Sequence, residues 1–279
     1  MAEATYSGLT GKVIVVTGAA GGIASAAVRL MARSGARLAL VDRDPAALDT
    51  LGSELAESTA HRGWALDLTD DARLDEVIGQ VMEHFGRIDV LINNAGLLIG
   101  GHFEDAPAAR LRKLIDVNLY VPLRMCQLVV PVMRRQGSGH IINVFSSAGL
   151  LSVPGFAAYG ATKSALFAFS RTLRRELRDS GIKVSAFCPG STRSPMTEAM
   201  TDAGGNPGGE APHPVAKPAA ALCRVIEHPK DIMVVSSRPL SQAIAMFLDR
   251  LFPRLLDGVW ASRCDDAYYG MAAKGGRAD

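Results

Sequence analysis

The segment over residues 12–24 constrains the fold more than any other part of the chain. Residues 12–17 (KVIVVT) are a β-branched run typical of a buried strand, and the glycine-rich stretch GAAGGIA follows without a break. A helical pattern comes next and ends at Gly35. A strand, a glycine-rich turn and a helix in this order predict one unit of a parallel sheet whose turn holds a pyrophosphate. A P-loop is excluded, because no Gly-Lys-Ser/Thr follows.

The rest of the chain alternates between strand-like and helical segments. Further strands are predicted at residues 37–41, 64–68, 88–92, 141–145, 182–187 and 232–235. This alternation predicts an α/β fold, a Rossmann-type doubly wound parallel sheet of about seven strands with helices on both faces. A chain of 279 residues with 48% hydrophobic content can bury a sizeable core, and we expect a single domain over residues 1–279.

Composition and charge exclude several classes of protein. The net charge is +2, from 30 basic and 28 acidic residues, which gives no reason to propose a nucleic acid as partner. The N-terminus has no apolar signal-peptide core, and the longest apolar runs are shorter than the ~20 residues of a membrane span. The four cysteines and six histidines are scattered without metal-ligand spacing. We therefore expect a cytoplasmic protein with reduced thiols, no metal and no transmembrane segment.

Tyr159 and Lys163 stand four residues apart in a helical segment, so both side chains lie on one helix face. An ammonium group beside a phenol stabilises the phenolate, and a tyrosine that titrates near ~10 needs such help to transfer protons near neutral pH. Ser146, thirteen residues before Tyr159, can donate a hydrogen bond to a carbonyl or alkoxide oxygen. The set suggests hydride transfer at a carbon coupled to proton transfer at its oxygen. The alternative is a core tyrosine and a surface lysine, but Ser146 and the glycine turn favour the chemical interpretation.

With these motifs, residues 9–196 resemble the short-chain dehydrogenase/reductase superfamily in its single-domain form. The resemblance implies a nicotinamide-dependent alcohol dehydrogenase or carbonyl reductase. It assigns Tyr159 as the general acid/base, Lys163 as the group that lowers the pKa of Tyr159 and holds the ribose, and Ser146 as the residue that orients the substrate oxygen. Asn118 would sit at a kink in the long helical region over residues 107–136 and bind a relay water.

The same resemblance implies a set of cofactor contacts spread over the carboxyl ends of the strands. They are Gly18, Gly21, Gly22, Ile23, Asp42, Arg43, Asp67, Leu68, Asn94, Ala95, Gly96, Tyr159, Lys163, Pro189, Gly190, Thr192 and Ser194. The chain departs from the family pattern at Ala24, where the last glycine of the turn is expected, and at Ser194, where a threonine is expected. One extra methyl at Ala24 implies a small adjustment of the helix–strand contact.

Asp42 directly follows the second predicted strand and lies about 20 residues after the glycine turn. A carboxylate at this distance can accept hydrogen bonds from the hydroxyls of the adenosine ribose. It would repel a 2′-phosphate, which favours NAD(H) over NADP(H). Arg43 complicates this prediction, because an arginine can pair with that phosphate. A purely structural role is also open, since Asp42 could cap the helix near Pro45, as Asp67, Thr69 or Asp70 could cap the next helix.

The segments outside the motifs are expected to determine the substrate. The side chains of Leu150, Leu151, Val153, Phe156 and Met196 are apolar, which favours a hydrophobic secondary alcohol or ketone without distinguishing steroid, retinoid and fatty chains. Residues 197–218, rich in Gly and Pro, predict a substrate lid or a plain linker. Residues 240–262 predict a C-terminal helical extension with one apolar stripe, which we expect to pack on the body or line the pocket; the alternative is contact with a membrane surface.

Two hypotheses on assembly and function complete the prediction. The helical segments over residues 119–136 and 157–179 carry apolar residues beyond one face, so a homodimer is expected, with a tetramer as the alternative. A protein that binds NAD(H) without catalysis, as a sensor or scaffold, is the alternative to an enzyme. The complete set of Ser146, Tyr159 and Lys163 argues against it, because a binding module needs no such set.

Overall fold

The structure is a computed structural model that describes residues 5–55, 59–197, 212–236, 239–261, 264 and 266–274. Within these residues all seven strands are parallel and form one sheet in the order β3-β2-β1-β4-β5-β6-β7. The strands are β1 Val13–Thr17, β2 Arg37–Asp42, β3 His61–Ala65, β4 Val90–Asn93, β5 Gly139–Val144, β6 Ile182–Cys188 and β7 Ile232–Val234. The predicted sheet is confirmed.

Helices cover both faces of the sheet. In the described residues they are α1 Gly22–Arg33, α2 Pro45–Glu54, α3 Asp71–Phe85, α4 Ala108–Ile115, α5 Val121–Gln136, α6 Ala157–Glu176, α7 Ala216–Glu227, α8 Pro239–Leu251, α9 Pro253–Ala261 and α10 Asp266–Lys274. Helices α1, α2 and α7 share one buried apolar cluster with the sheet, and α3 and α5 share another. The two clusters require apolar residues on both sides of each central strand, which is why β1 (VIVVT) is buried at every position.

The carboxyl ends of the central strands stand level with one another. Thr17 at the end of β1 pairs with Val41 on one side and with Asn93 on the other, and Asn93 pairs with Asn143. The strand order reverses between β1 and β4, because the chain crosses from β3 at the edge back to the centre. A crevice for a ligand forms outside the strand ends at such a reversal. The fold therefore places the loops after β1, β2, β4 and β5 around one site.

Two helix caps are settled by hydrogen bonds. The carboxylate of Asp44 accepts the amide of Ala47 at 3.0 Å and caps α2, so the alternative cap at Asp42 is wrong. Asp70 caps α3 by accepting the amide of Arg73. Asp42 is thereby left available for another role.

The long helical region over residues 107–136 is interrupted, as the kink at Asn118 predicts. Asp116–Tyr120 form a π-helical turn between α4 and α5, and such turns occur mostly at functional sites. The stretch Ala108–Gln136 is long and apolar enough to cross a membrane by length and composition alone, which the search for apolar runs did not predict. In the structure α5 buries Val121, Met125 and Val129 in the cluster that it shares with the sheet, as the core helix of a globular domain does.

The C-terminal region differs from the prediction. The extension over residues 240–262 is two helices, α8 and α9, and a third helix, α10, follows it. The predicted apolar stripe does not pack on the body: Ile244 is 51% exposed, Phe247 59% and Leu251 54%. Asp249, on the other side of α8, accepts the amide and the hydroxyl of Ser152 at 3.1 and 2.9 Å. Most of the predicted lid over residues 197–218 lies outside the described residues.

Candidate active site

A cavity of about 490 Å³ opens at the carboxyl ends of β1, β2, β4 and β5. It is lined by every predicted cofactor contact except Gly190 and Thr192. Met196, predicted on the substrate side, also lines the cavity, whereas Ala20, Asp44, Ala47, Leu66, Leu97, Leu98, Lys113, Val117, Val144, Phe145 and Pro195 line it without having been predicted. Most of these are apolar neighbours of predicted contacts, so their positions follow from the motifs.

The glycine turn after β1 lies so close to neighbouring segments that larger residues would not fit at its glycines. Gly18 has φ +63°, and a Cβ atom there would lie 2.8 Å from the Cα of Ala95. A Cβ atom on Gly22 would lie 3.1 Å from the ring of Pro195. The side-chain amide of Asn94 donates to the carbonyls of Thr17 and Gly18, which ties β4 to the turn. A backbone this close, at the N-terminus of α1, fits the pyrophosphate of a dinucleotide.

At the end of the cavity beside the glycine turn, the carboxylate of Asp42 contacts the turn. One oxygen accepts the amide of Ala20 at 2.9 Å, and the other accepts the amide of Asp44 at 3.3 Å. These bonds orient the carboxylate at the edge of the cavity, where a ribose hydroxyl can donate to it. Arg43 is exposed but lines the same cavity.

Asp67 lines the cavity and lies two residues after the end of β3. The pKa of its carboxyl lies below the usual range because the Thr69 amide donates to it, followed by the Thr69 hydroxyl and the positive charges of Lys113 and Arg43, against the opposing effect of burial. Lys113, on α4, had no signal in the sequence, because nothing in the pattern of α4 shows that this turn faces the cavity.

At the opposite end, the chain after β6 closes the cavity. Pro189 and Ser194 line it, whereas Gly190 and Thr192 lie behind the lining. Thr192 is buried, and its hydroxyl donates to the carbonyl of Pro189 at 3.2 Å. The hydroxyl of Thr197 donates to the carbonyl of Thr192 at 2.6 Å. The contacts of Gly190 and Thr192 with a cofactor remain predictions.

Tyr159 and Lys163 line this end of the cavity, and Ser146 lies beside Tyr159. The first turns of α6 carry Tyr159 and Lys163 on one face, and the Lys163 Nζ lies 5.9 Å from the centre of the Tyr159 ring. That ammonium donates to the carbonyl of Val144 at 3.2 Å, at the end of β5. Ser146, just after β5, shares a hydrogen bond with the Tyr159 hydroxyl. The three side chains therefore face one place where a substrate oxygen can bind.

Burial controls the titration of this group. It raises the pKa of Tyr159 to about 12, although the hydrogen bond from Ser146 acts in the lowering direction. It lowers the pKa of Lys163 to about 8. A negative neighbour, the Cys188 thiol when ionised, raises both. The sequence predicted a lowered pKa for Tyr159, but in the structure this pKa is raised. The loss of hydration destabilises the phenolate more than the hydrogen bond with Ser146 stabilises it.

Asn118 lies in the interior next to the helix that carries Tyr159 and Lys163. Its side-chain oxygen accepts the amide of Leu97 at 2.7 Å, and its nitrogen donates to the Leu97 carbonyl at 2.9 Å and to the Thr162 hydroxyl at 3.2 Å. The side chain is fully buried and uses its amide to join the loop after β4 to α6. The relay water assigned to Asn118 remains a prediction.

The comparison with known proteins identifies the family. A sequence profile described as short chain dehydrogenase matches residues 12–204, which is more than half of the chain. The chain belongs to the short-chain dehydrogenase family. The resemblance found in the motifs is thereby confirmed, and with it the assignment as an oxidoreductase of a family that uses nicotinamide cofactors.

Individual members of the short-chain dehydrogenase family resemble most of the chain. A 3-oxoacyl-(acyl-carrier-protein) reductase of Thermotoga maritima is 37% identical over 201 residues, which are 70% of this chain and 79% of the relative. Dehydrogenase/reductase SDR family member 7B of Rattus norvegicus is 30% identical over 269 residues, 91% of this chain and 82% of the relative. The crystal structure of NAD⁺-bound xylitol dehydrogenase superimposes with a TM-score of 0.74 at 25% identity, covering 81% of this chain and 97% of that one.

Proposed function

We propose that the protein transfers hydride between NAD(H) and a hydrophobic secondary alcohol or ketone. The observation that carries this proposal is the meeting of Ser146, Tyr159 and Lys163 at one end of a cavity whose other end presents Asp42. A sensor or scaffold that only binds the cofactor has no need for a phenol, an ammonium and a hydroxyl around one point.

The chain's own residues handle the proton and the substrate oxygen. The bound nicotinamide supplies or accepts the hydride at the neighbouring carbon. In the reducing direction Tyr159 gives its phenolic proton to the substrate oxygen, and Ser146 donates a hydrogen bond to the same oxygen. In the oxidising direction the Tyr159 phenolate takes the alcohol proton. The ammonium of Lys163 stabilises the phenolate, and its place beside the cavity allows it to donate to a ribose hydroxyl as well.

The preference for NAD(H) rests on the oriented carboxylate of Asp42. Its two oxygens are fixed by the amides of Ala20 and Asp44, so it cannot turn away from a 2′-phosphate without breaking these bonds. Asp44 lines the same cavity and adds a second negative charge. The positive charges of Arg43 and Lys113 would instead attract the 2′-phosphate of NADP(H). Because two negative and two positive side chains oppose each other, we expect a moderate preference for NAD(H). The NAD⁺-bound relative supports the same choice.

A hydrophobic substrate is supported by the residues beside Tyr159. Leu98, Phe145 and Met196 line the cavity near the catalytic group. The names of two relatives, a 3-oxoacyl reductase and a xylitol dehydrogenase, describe carbonyl or alcohol chemistry on different substrates. Together they support the reaction type and leave the apolar lining as the guide to the substrate class.

We further propose a cytoplasmic homodimer. The four cysteines all lie in described residues, form no disulfide there and are buried in three cases, which suits a reducing compartment. The apolar residues on the outer faces of α5 and α6, such as Val130 and Leu173, are only half-buried by their own chain. Contact with a second copy would complete their burial, whereas a tetramer or contact of the exposed α8 stripe with a membrane surface is the alternative assembly.

One experiment tests the reaction and the cofactor choice. Purified protein is assayed by cofactor absorbance over a panel of apolar secondary alcohols and ketones, with NAD(H) and NADP(H) in parallel. We expect turnover with NAD(H) and a loss of about a thousandfold in kcat for Tyr159→Phe, because proton transfer contributes on that order, while NADH fluorescence titration shows unchanged binding. Tyr120→Phe, at an exposed tyrosine, is the matched control.

Three results would contradict the proposal. Near wild-type turnover in Tyr159→Phe would remove the acid/base assignment. Cofactor binding without turnover of any substrate in the panel would favour the sensor or scaffold. Tighter binding of NADPH than of NADH would show that Arg43 and Lys113 outweigh Asp42.

A further inference from the structure

The C-terminal helix α10 is seated on two loops that border the catalytic group. The loop after β4 contributes Gly100 and Gly101, and the loop after β5 contributes Gly155. The amide of Gly101 donates to the carbonyl of Gly155 at 2.9 Å, so the two loops form one platform. The hydroxyl of Tyr268 on α10 donates to the carbonyl of Pro154 at 2.8 Å. This bond fixes the helix to the platform.

The platform is built of glycines because the helix backbone lies directly on it. A Cβ atom added to Gly100 would collide with the carbonyl group of Ala272 and would lie 2.9 Å from the ring of Phe156. A Cβ atom on Gly155 would lie 3.4 Å from the Ala272 side chain. By contrast, a Cβ atom on Gly270, in the same helix, would have no neighbour within 4 Å. The helix therefore meets the platform with one face, and that face has no room for added atoms.

Apolar side chains fill the space between α10 and the catalytic tyrosine. The buried members of this cluster are Leu98, Phe156, Tyr268 and Ala272, and the half-buried members packed on them are Val153, Tyr159, Cys264 and Tyr269. The rings of Phe156 and Tyr159 meet edge to face with 6.4 Å between their centres. The ring of His102 stacks on Tyr269 at 4.1 Å. Leu98 and Tyr159 also line the cavity, so the cluster borders the reaction site.

We propose that α10 determines specificity in this active site: it holds Leu98 and Phe156 in place beside Tyr159 and selects a ketone or secondary alcohol with an uncharged ring beside the reacting carbon. The inference rests on the function proposed above. Of this cluster, Leu98 and Tyr159 line the cavity, where the apolar side chains of Phe145 and Met196 lie as well. A flat apolar ring gains burial and edge or face contacts with such a wall, whereas a charged group would lose its hydration without a partner. The residues of α10 act through Leu98 and Phe156 and are positioning residues.

The test displaces α10 without touching the catalytic group. Gly100→Ala pushes the helix off its seat, and Gly270→Ala adds the same methyl group to the outer side of the same helix. The substrates are 1-tetralone, an uncharged ring ketone, and acetoacetate, a small charged ketone, both reduced with NADH. For Gly100→Ala we expect the KM for 1-tetralone to rise about tenfold, the scale set by one lost apolar contact, with kcat and the Kd for NADH unchanged and the preference over acetoacetate reduced. Gly270→Ala should match the wild type.

The outcomes separate this inference from the function on which it rests. An unchanged KM and preference in Gly100→Ala, or a parallel loss of NADH affinity, overturns the role of α10. If the wild type reduces neither ketone, the proposed function fails for this substrate class. The role of α10 is then tested by ligand binding: 1-tetralone, added in the presence of NADH, should raise the melting temperature of the wild type and of Gly270→Ala. It should not raise the melting temperature of Gly100→Ala. If Gly100→Ala does not fold, Tyr268→Phe replaces it; an unchanged KM and preference would then overturn the inference.

Discussion

Burial acts on Tyr159 and Lys163 in opposite directions. It raises the pKa of the phenol to about 12 and lowers the pKa of the ammonium to about 8, because each group prefers its uncharged form away from water. At neutral pH Tyr159 is therefore a protonated acid, ready to donate to a carbonyl oxygen. Alcohol oxidation needs the phenolate, whose fraction grows about tenfold per pH unit below the pKa. If Tyr159 is the base in alcohol oxidation, the rate of oxidation should therefore rise with pH.

The lowered pKa of Lys163 predicts a pH-dependent stability. The amine binds its proton with a pKa of 10.5 in its ordinary state and about 8 in the folded chain, so between these values the unfolded chain holds more protons. Raising the pH through this window stabilises the fold by roughly 1 kcal/mol per pH unit. We expect the difference in unfolding free energy between wild type and Lys163→Met, measured by urea denaturation from pH 7 to 9.5, to shift in favour of the wild type above pH 8.

Lys230→Met removes an exposed lysine and serves as the control, for which no such slope is expected. Keeping the series below pH 9.5 limits the titration of tyrosines in the unfolded chain. A constant difference between wild type and Lys163→Met across the window would show that the ammonium is not desolvated by the fold.

At the scale of elements, the π-helical turn at Asp116–Tyr120 connects the sheet to α6. It turns the Asn118 side chain into the interior, where the amide bonds both backbone groups of Leu97 and the hydroxyl of Thr162. These bonds set the distance between the loop after β4 and the helix that carries Tyr159 and Lys163. The turn therefore has a structural role, a joint that links the loop after β4 to α6, and this role does not depend on the predicted relay water.

Asn118→Ala should destabilise the protein by about 2 kcal/mol, because it leaves the half-buried amide and carbonyl of Leu97 without their side-chain partner. The measurement is urea denaturation followed by circular dichroism. Tyr120→Phe, in the same turn but exposed, loses one hydrogen bond to Asp71 and should change stability by less than about 1 kcal/mol. Equal effects of the two substitutions would show that the interior bonds of Asn118 do not hold the joint.

The elements that sequence predicts well are those whose signal is local. Strand β1, the glycine turn and the paired spacing of Tyr159 and Lys163 depend on neighbouring residues, so the sheet and most of the cavity lining could be predicted. Helix α10 was missed because its packing partners, Gly100 and Gly155, are more than a hundred residues away and its own sequence, DAYYGMAAK, has little amphipathic pattern. The pKa of Tyr159 was predicted in the wrong direction because its burial depends on residues distant in sequence.

At the scale of the whole molecule, half of the large apolar side chains that are exposed in the described residues lie in one region. Of the large apolar side chains that are exposed in the described residues, Ile244, Phe247, Leu251, Phe252 and Val259 lie on or between α8 and α9. The outer faces of α5 and α6 are half-buried, as Val130 and Phe167 show. The dimer interface could therefore form on the exposed residues of α8 and α9 or on the outer faces of α5 and α6. The sequence predicted the surface on α5 and α6.

Light scattering at micromolar concentration tests the proposed homodimer. We expect the mass of two chains for the wild type and for Phe247→Glu on α8, and the mass of one chain for Val130→Glu on α5, because a buried charge at a two-fold contact is repeated in both copies. Thermal melts establish that each variant is folded. Dissociation by Phe247→Glu instead would move the interface to α8 and α9, and a wild-type monomer would refute the dimer.

The contact between α10 and its platform joins parts of the chain that are far apart in sequence. The cavity is lined by residues between Gly18 and Met196, whereas α10 begins at Asp266. A protease cut just before Asp266 would therefore leave every residue that lines the cavity and would remove the helix seated on Gly100 and Gly155.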